Sequence, residues 1–470
     1  MKIYNTFSKS KEEFIPTKKG EVTFYMCGPT VYDYFHIGNS RSFIMADIIR
    51  RYLEYKGFLV KFVMNLTDVD DKIIKKAIQE NTSFANVSQK YINAFLEDIK
   101  KLKIKEIENL PKATDSIPEM VHLIENLIKK EIAYNVDGDI FYDVLKFKDY
   151  GKLSGKKIDE LEAGSRVEID EKKKSPLDFA LWKKAKENEP FWASPWGDGR
   201  PGWHIECSAM SAKYLGLPID IHAGGNDLIF PHHENEIAQS EAATNTKFVK
   251  YWIHFGFLNI QNEKMSKSLG NFFTAREVVV KYSAETIRMF FAQSHYSGPL
   301  NFCEDLLSAA SKGLEKLTNF SDRLKTFEQN TTGIGITPEF DFKNYYSAFE
   351  NAMDDDFNSP QAVAVIFDFI RDVNKVLTDV QDVSVSFLNE AKMFLERTAQ
   401  NVLGIVDFSS SQKQYDDKLQ NDLIELLIDF RIKAKQQKNY TLADEIRESL
   451  NKLGIVLQDQ KEKTTFKIMN

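Results

Sequence analysis

Two short strings with phosphate-binding chemistry stand far apart in this chain. One is His36-Ile37-Gly38-Asn39, near the N-terminus; the other is Lys264-Met265-Ser266-Lys267-Ser268, past the midpoint. The first sets an imidazole and an amide around a glycine at an expected strand-to-helix junction. A helix start offers unpaired N–H groups and a partial positive charge, which attract phosphate. Gly38 has no side chain, so a flat adenine can approach the backbone. The second string places two lysines among hydroxyls, with Gly270 close by. Such a loop can neutralise the charge that builds as pyrophosphate leaves. Alone, each string also fits a capped helix start or an exposed basic loop. In this order and together, they describe a grip on the triphosphate of ATP from two sides.

A third constellation has metal chemistry. In Pro231-His232-His233-Glu234-Asn235-Glu236, His232 and Glu236 are four apart, so on a helix both side chains share one face. Pro231 suits the first turn of that helix. Cys207 lies on a preceding helical segment and Cys27 at the end of the first strand. Two thiolates, an imidazole and a carboxylate form a tetrahedral zinc set. Spacing alone does not bring Cys27 to His232: the cysteines also suit a packed interior and the His–Glu pair a solvated helix face.

These residues need a frame. Hydrophobic residues make up 43% and charged residues 28%, the balance of a globular chain, and 470 residues allow several domains. No apolar run reaches the ~18 residues of a membrane span, and Met1 to Lys11 is polar, without a signal-peptide core. Only Cys27, Cys207 and Cys303 occur, which fits a reducing cytoplasm and no disulfide framework; Cys303 is expected to be a buried packing residue. A net charge of −7 argues against indiscriminate nucleic-acid binding but allows a local basic surface.

Val22, Phe24 and Met26 alternate as on a strand that enters a turn at Gly28-Pro29. Ile44, Ile48 and Tyr52 recur at helical spacing, and Gly57 can end that helix. Phe58 to Met64 reads as a buried strand, and a new helix starts from Asp70. Strand–helix–strand order predicts an α/β fold with a Rossmann-like parallel sheet. Residues 1–110 carry its first half, 111–195 a charged connective insertion, 196–250 its second half with the metal candidates, and 251–303 the lysine loop. Residues 304–405 read as a helical bundle and 408–416 as a Ser-rich linker. A small module spans 417–470, with a helix from about 418 to 437 and a second from Leu442 to Leu453 capped by Thr441. Two short strands follow, at Ile455–Leu457 and Thr464–Ile468.

Four longer strings now carry a resemblance. Met26-Cys27-Gly28-Pro29-Thr30-Val31-Tyr32, Asn65-Leu66-Thr67-Asp68-Val69-Asp70-Asp71-Lys72, Gly202-Trp203-His204-Ile205-Glu206-Cys207-Ser208 and the run from Gly224 to Glu236 resemble the cysteinyl-tRNA synthetases. These belong to the class I aminoacyl-tRNA synthetases, whose HIGH and KMSKS motifs match the two opening strings. The resemblance extends to Ala443-Asp444-Glu445-Ile446-Arg447 and Gly454-Ile455-Val456-Leu457-Gln458-Asp459 near the end. Asn39 stands where many members have a second histidine, and its amide still donates to phosphate.

The resemblance implies roles. Cys27, Cys207, His232 and Glu236 match residues that hold one zinc ion, to which the substrate cysteine's thiolate binds. Cysteine and serine differ by one atom, which an ordinary pocket separates poorly, whereas zinc favours the thiolate. His36, Asn39, Lys264 and Lys267 match the catalytic phosphate-gripping residues, with Gly38, Gly225 and Asp227 completing the ATP side. Thr67 and Trp203 match positions near the bound amino acid. The implied reaction activates L-cysteine with ATP, accompanied by magnesium, and passes it to the 3′-terminal ribose of tRNA(Cys). The small C-terminal module is then expected to bind the anticodon, with Arg431, Asp444 and Arg447 for base contacts and Lys433, Lys435 and Lys438 nearby. The expected state is a cytoplasmic monomer with no membrane partner.

Three other readings compete. A ligase joining cysteine to an amino sugar would share the adenylation site, but residues 418–470 favour tRNA. A non-catalytic RNA-binding paralogue is expected to lose His36, Lys264 and Lys267, which are present. A zinc hydrolase using Glu236 as base leaves the lysine string unexplained.

Overall fold

Val22, Phe24 and Met26 are fully buried, and the strand they define anchors the sheet that carries the site. The computed structural model describes residues 1–158, 171–260, 263–264, 273–331, 335–408, 411–459 and 464–468. Two units emerge, Met1–Val406 and Asp407–Asn470.

In the first unit, β1 (Lys2–Asn5) and β2 (Ser10–Glu13) form an antiparallel hairpin ahead of β3 (Glu21–Met26). The helix α1 (Ile37–Tyr55) follows, and Gly57 reverses the chain at φ +88°, a left-handed backbone that favours glycine. β4 (Leu59–Met64) returns parallel to β3, pairing Phe24 with Phe62 and Met26 with Met64. The insertion supplies β5 (Ala133–Val136), β6 (Asp139–Tyr142) and β7 (Phe179–Lys184), and β8 (Gly199–Pro201), just beyond its expected end, joins them in an antiparallel sheet in chain order. It is not a free-standing body. Ile140, Tyr142 and Trp182 share a core with Ile205, Met210, Ala238 and Ala242 on helices that run beneath the main sheet's candidate site.

β9 (Ile219–Gly225) and β10 (Val249–Phe255) complete the main sheet in the order β10-β9-β3-β4, all parallel. Non-sequential order with helical crossovers is the predicted Rossmann-like topology. A smaller sheet follows, from β11 (Leu258–Ile260), β12 (Glu263–Lys264) and β13 (Leu300–Phe302), with β11 at its centre. Helices at Glu304–Asn330, Phe342–Asp354, Ser359–Asp379 and Val385–Leu395 then pack around buried Phe349, Phe369 and Phe394. Cys303 departs from expectation. It is half-buried and stands at the N-cap of the Glu304–Asn330 helix in extended backbone, not within the buried core.

The second unit has helices at Ser411–Gln436 and Tyr440–Lys452 and an antiparallel pair, β14 (Ile455–Asp459) and β15 (Thr464–Ile468). Ile424, Ile428, Leu450, Ile455 and Leu457 form its core. Two expectations fail here. The polar stretch from Ser411 is helix rather than linker, because it is polar without containing glycine or proline to break a helix. The second helix is capped by Asn439, whose side chain accepts from the Leu442 N–H, not by Thr441. Among the described residues, no helix is long and apolar enough to cross a membrane.

Candidate active site

The turn after β3 and the start of α1 meet the ends of β9 and β10 around a cavity of ≈ 340 Å³. This is the carboxyl edge of a parallel sheet, where open α/β folds bind ligands. Cys27, His36, Gly38, Asn39, Trp203, Gly225 and Asp227 all line it.

His36 is the N-cap of α1: its backbone is extended and its ring Nδ1 accepts from the Asn39 N–H at 3.2 Å. The cap orients the ring at the positive end of a 19-residue helix. Gly38 is needed for a reason the sequence did not disclose. A Cβ there would lie 2.8 Å from His36 Nδ1 and 2.9 Å from Cε1, so the imidazole in its present position also requires the missing side chain. At Gly225 a Cβ would meet Asp227 Oδ1 at 2.4 Å, so this glycine lets the Asp227 carboxylate fold back over the strand end.

The lysine string is tied to the same place at both ends. β12 pairs antiparallel with β11, matching Lys264 to Asn259 and Glu263 to Ile260. On return, Thr274 bridges His36, the Ile37 N–H donates to the Phe273 carbonyl at 3.0 Å, and the Ala275 N–H donates to the Phe35 carbonyl at 3.0 Å. The two opening motifs therefore converge through backbone pairing. The Lys264 side chain and Lys267 lie outside the described residues.

Beneath the cavity, Cys27, Cys207, His232 and Glu236 are all buried, with one donor atom from each within 4.8 Å of the others. Cys27 Sγ lies 4.0 Å from Cys207 Sγ and 3.7 Å from Glu236 Oε1, and His232 Nε2 is 3.0 Å from Glu236 Oε1. Ligands at ~2.0–2.3 Å from one tetrahedral ion are about 3.3–3.8 Å apart, so the set is near coordination spacing. The sequence reading had no means of seeing a second, overlapping set. His222 and His233 bring their Nε2 atoms to 3.4 and 3.3 Å from Cys27 Sγ, and with Glu236 they also make a four-donor group. Second partners distinguish the two. A metal-bound imidazole normally hands its other ring nitrogen to a hydrogen-bond partner. His232 Nδ1 meets His204 Nδ1 at 2.9 Å, whereas His222 Nδ1 is buried with no partner. The donor chemistry thus favours the first set, with His222 and His233 as donors to the Cys27 sulfur. His233 is held in turn by His254, 2.8 Å away, and His254 by Thr6.

The electrostatics suit a cation. Burial pushes the Cys27 thiol and the Glu236 carboxyl up. The hydrogen bond from Cys27 pulls Cys207 down to about 7, against its own burial. Burial holds His204, His222 and His233 neutral, the form that can ligate or donate. Glu236 Oε2 is buried without a hydrogen bond. A carboxylate so placed is costly unless a positive charge completes the site.

Trp203 is stacked on His232 at 4.3 Å between ring centroids and lines the cavity, above the cluster. Thr67 is different. It is buried, its hydroxyl donates to Glu206 Oε2 at 2.9 Å and accepts from Asn65 Nδ2 at 3.2 Å, and Asn65 Oδ1 accepts from the Gly28 N–H at 2.8 Å. Thr67 therefore acts on the cavity wall through Asn65 and Gly28. Tyr32, Asp33 and Lys72 also line the cavity and were not singled out from sequence; Lys72 stands over the Tyr32 ring at 5.4 Å.

The second unit corrects one candidate. Arg431 is buried, continuing the face of Ile424 and Ile428 at helical spacing, so it presents no guanidinium to solvent. Asp444, Arg447, Lys433, Lys435 and Lys438 are exposed.

Residues 13–312 match the tRNA synthetases class I (C) catalytic domain, and residues 348–407 match the DALR domain. The cysteine–tRNA ligase of Carboxydothermus hydrogenoformans is 48% identical over 469 residues, covering 99% of this chain and 100% of the relative. That of Thermococcus onnurineus is 48% identical over 474 residues, covering 99% of each. In fold, the chain is similar to Mycobacterium tuberculosis methionyl-tRNA synthetase in complex with methionyl-adenylate, with a TM-score of 0.62 at 15% identity over 81% of this chain and 89% of that one. It is also similar to a leucyl-tRNA synthetase from Agrobacterium radiobacter K84 in a ternary complex, with a TM-score of 0.59 at 13% identity over 83% and 85% of the two chains. A helix start capped by His36, a segment at residues 273–275 paired to it and a buried thiol–imidazole–carboxylate cluster at one sheet edge, with relatives at this identity and coverage, place the chain in the cysteine–tRNA ligase family of class I synthetases.

Proposed function

We propose that this protein selects L-cysteine through a zinc ion held by Cys27, Cys207, His232 and Glu236, activates it with ATP, and esterifies it to the terminal ribose of tRNA(Cys). The observation that carries the reading is that His36, Gly38, Asn39 and Cys27 line one cavity, with the Cys207–His232–Glu236 cluster directly behind Cys27. Zinc bound there would prefer a substrate thiolate to serine's neutral hydroxyl, supplying discrimination that shape cannot.

The remaining work falls to side chains and backbone. The α1 N-terminus and His36 take ATP phosphate, with Asn39 beside them. Lys264 and Lys267 neutralise pyrophosphate as it departs, and magnesium accompanies the nucleotide. Gly225 and Asp227 face the adenosine or the substrate amine. Trp203 closes over the thiol end, and Thr67 steadies the wall through Asn65. No protein nucleophile is needed: the substrate carboxylate attacks the α-phosphorus, then a tRNA hydroxyl attacks the mixed anhydride, so catalysis is positioning and charge stabilisation. Residues 417–470, with Asp444, Arg447 and the exposed lysines, take the anticodon arm. The protein works as a cytoplasmic monomer.

Aminoacylation with cysteine and serine side by side, with zinc measured on the same sample, tests this. About one zinc per chain and charging with cysteine alone are expected. Full activity without metal sinks the selection mechanism. Cys207→Ser should lose most of the zinc and raise the KM for cysteine far more than that for ATP.

A further inference from the structure

Arg41 lies in the first turns of α1, five residues after His36, and is completely buried. A buried cation near a helix N-terminus runs against the helix dipole and loses its hydration. What offsets this is a dense ring of acceptors. Nη1 donates to the carbonyls of Gly256 at 2.9 Å and Phe257 at 3.0 Å. Nη2 donates to the carbonyls of His295 at 2.9 Å and Gly298 at 2.7 Å, with Ser294 Oγ at 3.4 Å. The guanidinium thus joins two loops of distant sequence. Residues 256 and 257 lead directly into β11, and the turn at residues 294–298 leads into β13, its parallel neighbour.

The loops approach so closely that a Cβ on Gly256 would lie 2.1 Å from the Gly298 carbonyl oxygen. The Gly256 N–H donates to the Tyr296 carbonyl at 2.9 Å, and the Leu300 N–H to the Phe257 carbonyl at 3.0 Å. β11 in turn carries β12 and Lys264. The helix that begins with His36 therefore fixes, through a side chain on its second turn, the root of the strand pair that bears the first lysine. On the return side, residues 273–275 pair with residues 35–37.

We propose that Arg41 is a positioning residue for the ATP-dependent step: it sets the β11–β13 sheet, and with it the backbone at Lys264, at a fixed distance from the phosphate-binding start of α1. The proposal rests on the ATP-activation reading above. Arg41 does not itself line the cavity and touches no metal-cluster residue; the two lining residues it holds, Gly256 and Phe257, lead into β11, so its loss should spare the cysteine side.

Arg41→Lys in the full chain is the test. A lysine ammonium keeps the charge but has three donors and no planar fork, so it cannot span both loops as the guanidinium does. Cysteine-dependent ATP–pyrophosphate exchange is measured with each substrate varied, together with cysteine binding by calorimetry without ATP, and the melting temperature. The KM for ATP should rise on the order of tenfold to a hundredfold, the cost of an ångström-scale misplacement, while cysteine affinity holds and the melting temperature falls only with the lost buried hydrogen bonds. Gly256→Ala, which wedges the same loops apart while leaving the Arg41 side chain in place, should reproduce that ATP-side defect. An unchanged KM for ATP in both variants overturns the proposal. So does a parallel loss of ATP use, cysteine binding and melting temperature, which would mark Arg41 as a fold residue only. Absence of exchange in the unmutated chain would instead defeat the activation reading, and this proposal with it.

Discussion

Replacing Gly38 by alanine should cripple ATP use while leaving the fold intact. The new Cβ would lie 2.8 Å from His36 Nδ1, so the ring must retreat about 0.6 Å to reach the 3.4 Å of ordinary contact. Retreat lengthens the 3.2 Å cap from the Asn39 N–H, whose loss costs about 1 kcal/mol of stability. Alanine in place of glycine returns a similar ~1 kcal/mol, because Gly38 is the second residue of α1 and glycine is a poor helix former. Stability therefore changes little. Catalysis has no such offset: an imidazole displaced by this much from developing phosphate charge should slow pyrophosphate exchange by roughly tenfold to a hundredfold. Pyrophosphate exchange and denaturant unfolding of the same preparation measure both quantities. Exchange within about twofold of the unmutated chain would refute the placement of His36 on ATP. A stability loss above about 2 kcal/mol would refute the compensation argument.

Asp47 is buried against Arg288, itself fully buried, and also binds Arg51 and the Lys105 N–H. Burial alone would raise its carboxyl, but Arg288 and Arg51 outweigh it and hold the group below the usual carboxylate range. Its stabilisation is then full above the unfolded value of about 3.9 and lost as pH falls through the lower folded value; Asp47→Asn should flatten that acid limb, and Asp47→Ala should cost about 3–5 kcal/mol in denaturant unfolding. Arg447→Ala should raise the KM for tRNA without changing pyrophosphate exchange, whereas Arg431→Ala, which removes a buried guanidinium, should lower the melting temperature.

Much of the site was legible because short-range periodicity carries it. The strand alternation of Val22, Phe24 and Met26 and the four-residue step from His232 to Glu236 each state a local geometry that the fold keeps. Where local signals competed, errors followed. Thr441 and Asn439 are both good caps two residues apart, and only helix packing chose Asn439. Arg431 read as a basic surface residue because charge was weighed above the Ile424–Ile428 spacing that buries it. Thr67 lies in a motif, yet its hydroxyl is spent on Glu206, a partner 139 residues away.

What the sequence determined by itself was chemical: which donor types are present, in what order, and on which local faces. It named two strings with phosphate-binding chemistry and four candidate metal donors. Tertiary structure alone decided that they meet. Parallel pairing of β3 with β9 brings Cys27 beside His222, the flanking helical segments add Cys207 and His233, and residues 273–275 pair with residues 35–37 at the helix start. Convergence of that kind is a sum of backbone pairings and buried packing across hundreds of residues, and no local spacing encodes it. It also creates what no motif contains: two overlapping groups of candidate donors, in one of which the second ring nitrogen of His232 has a partner while in the other that of His222 has none.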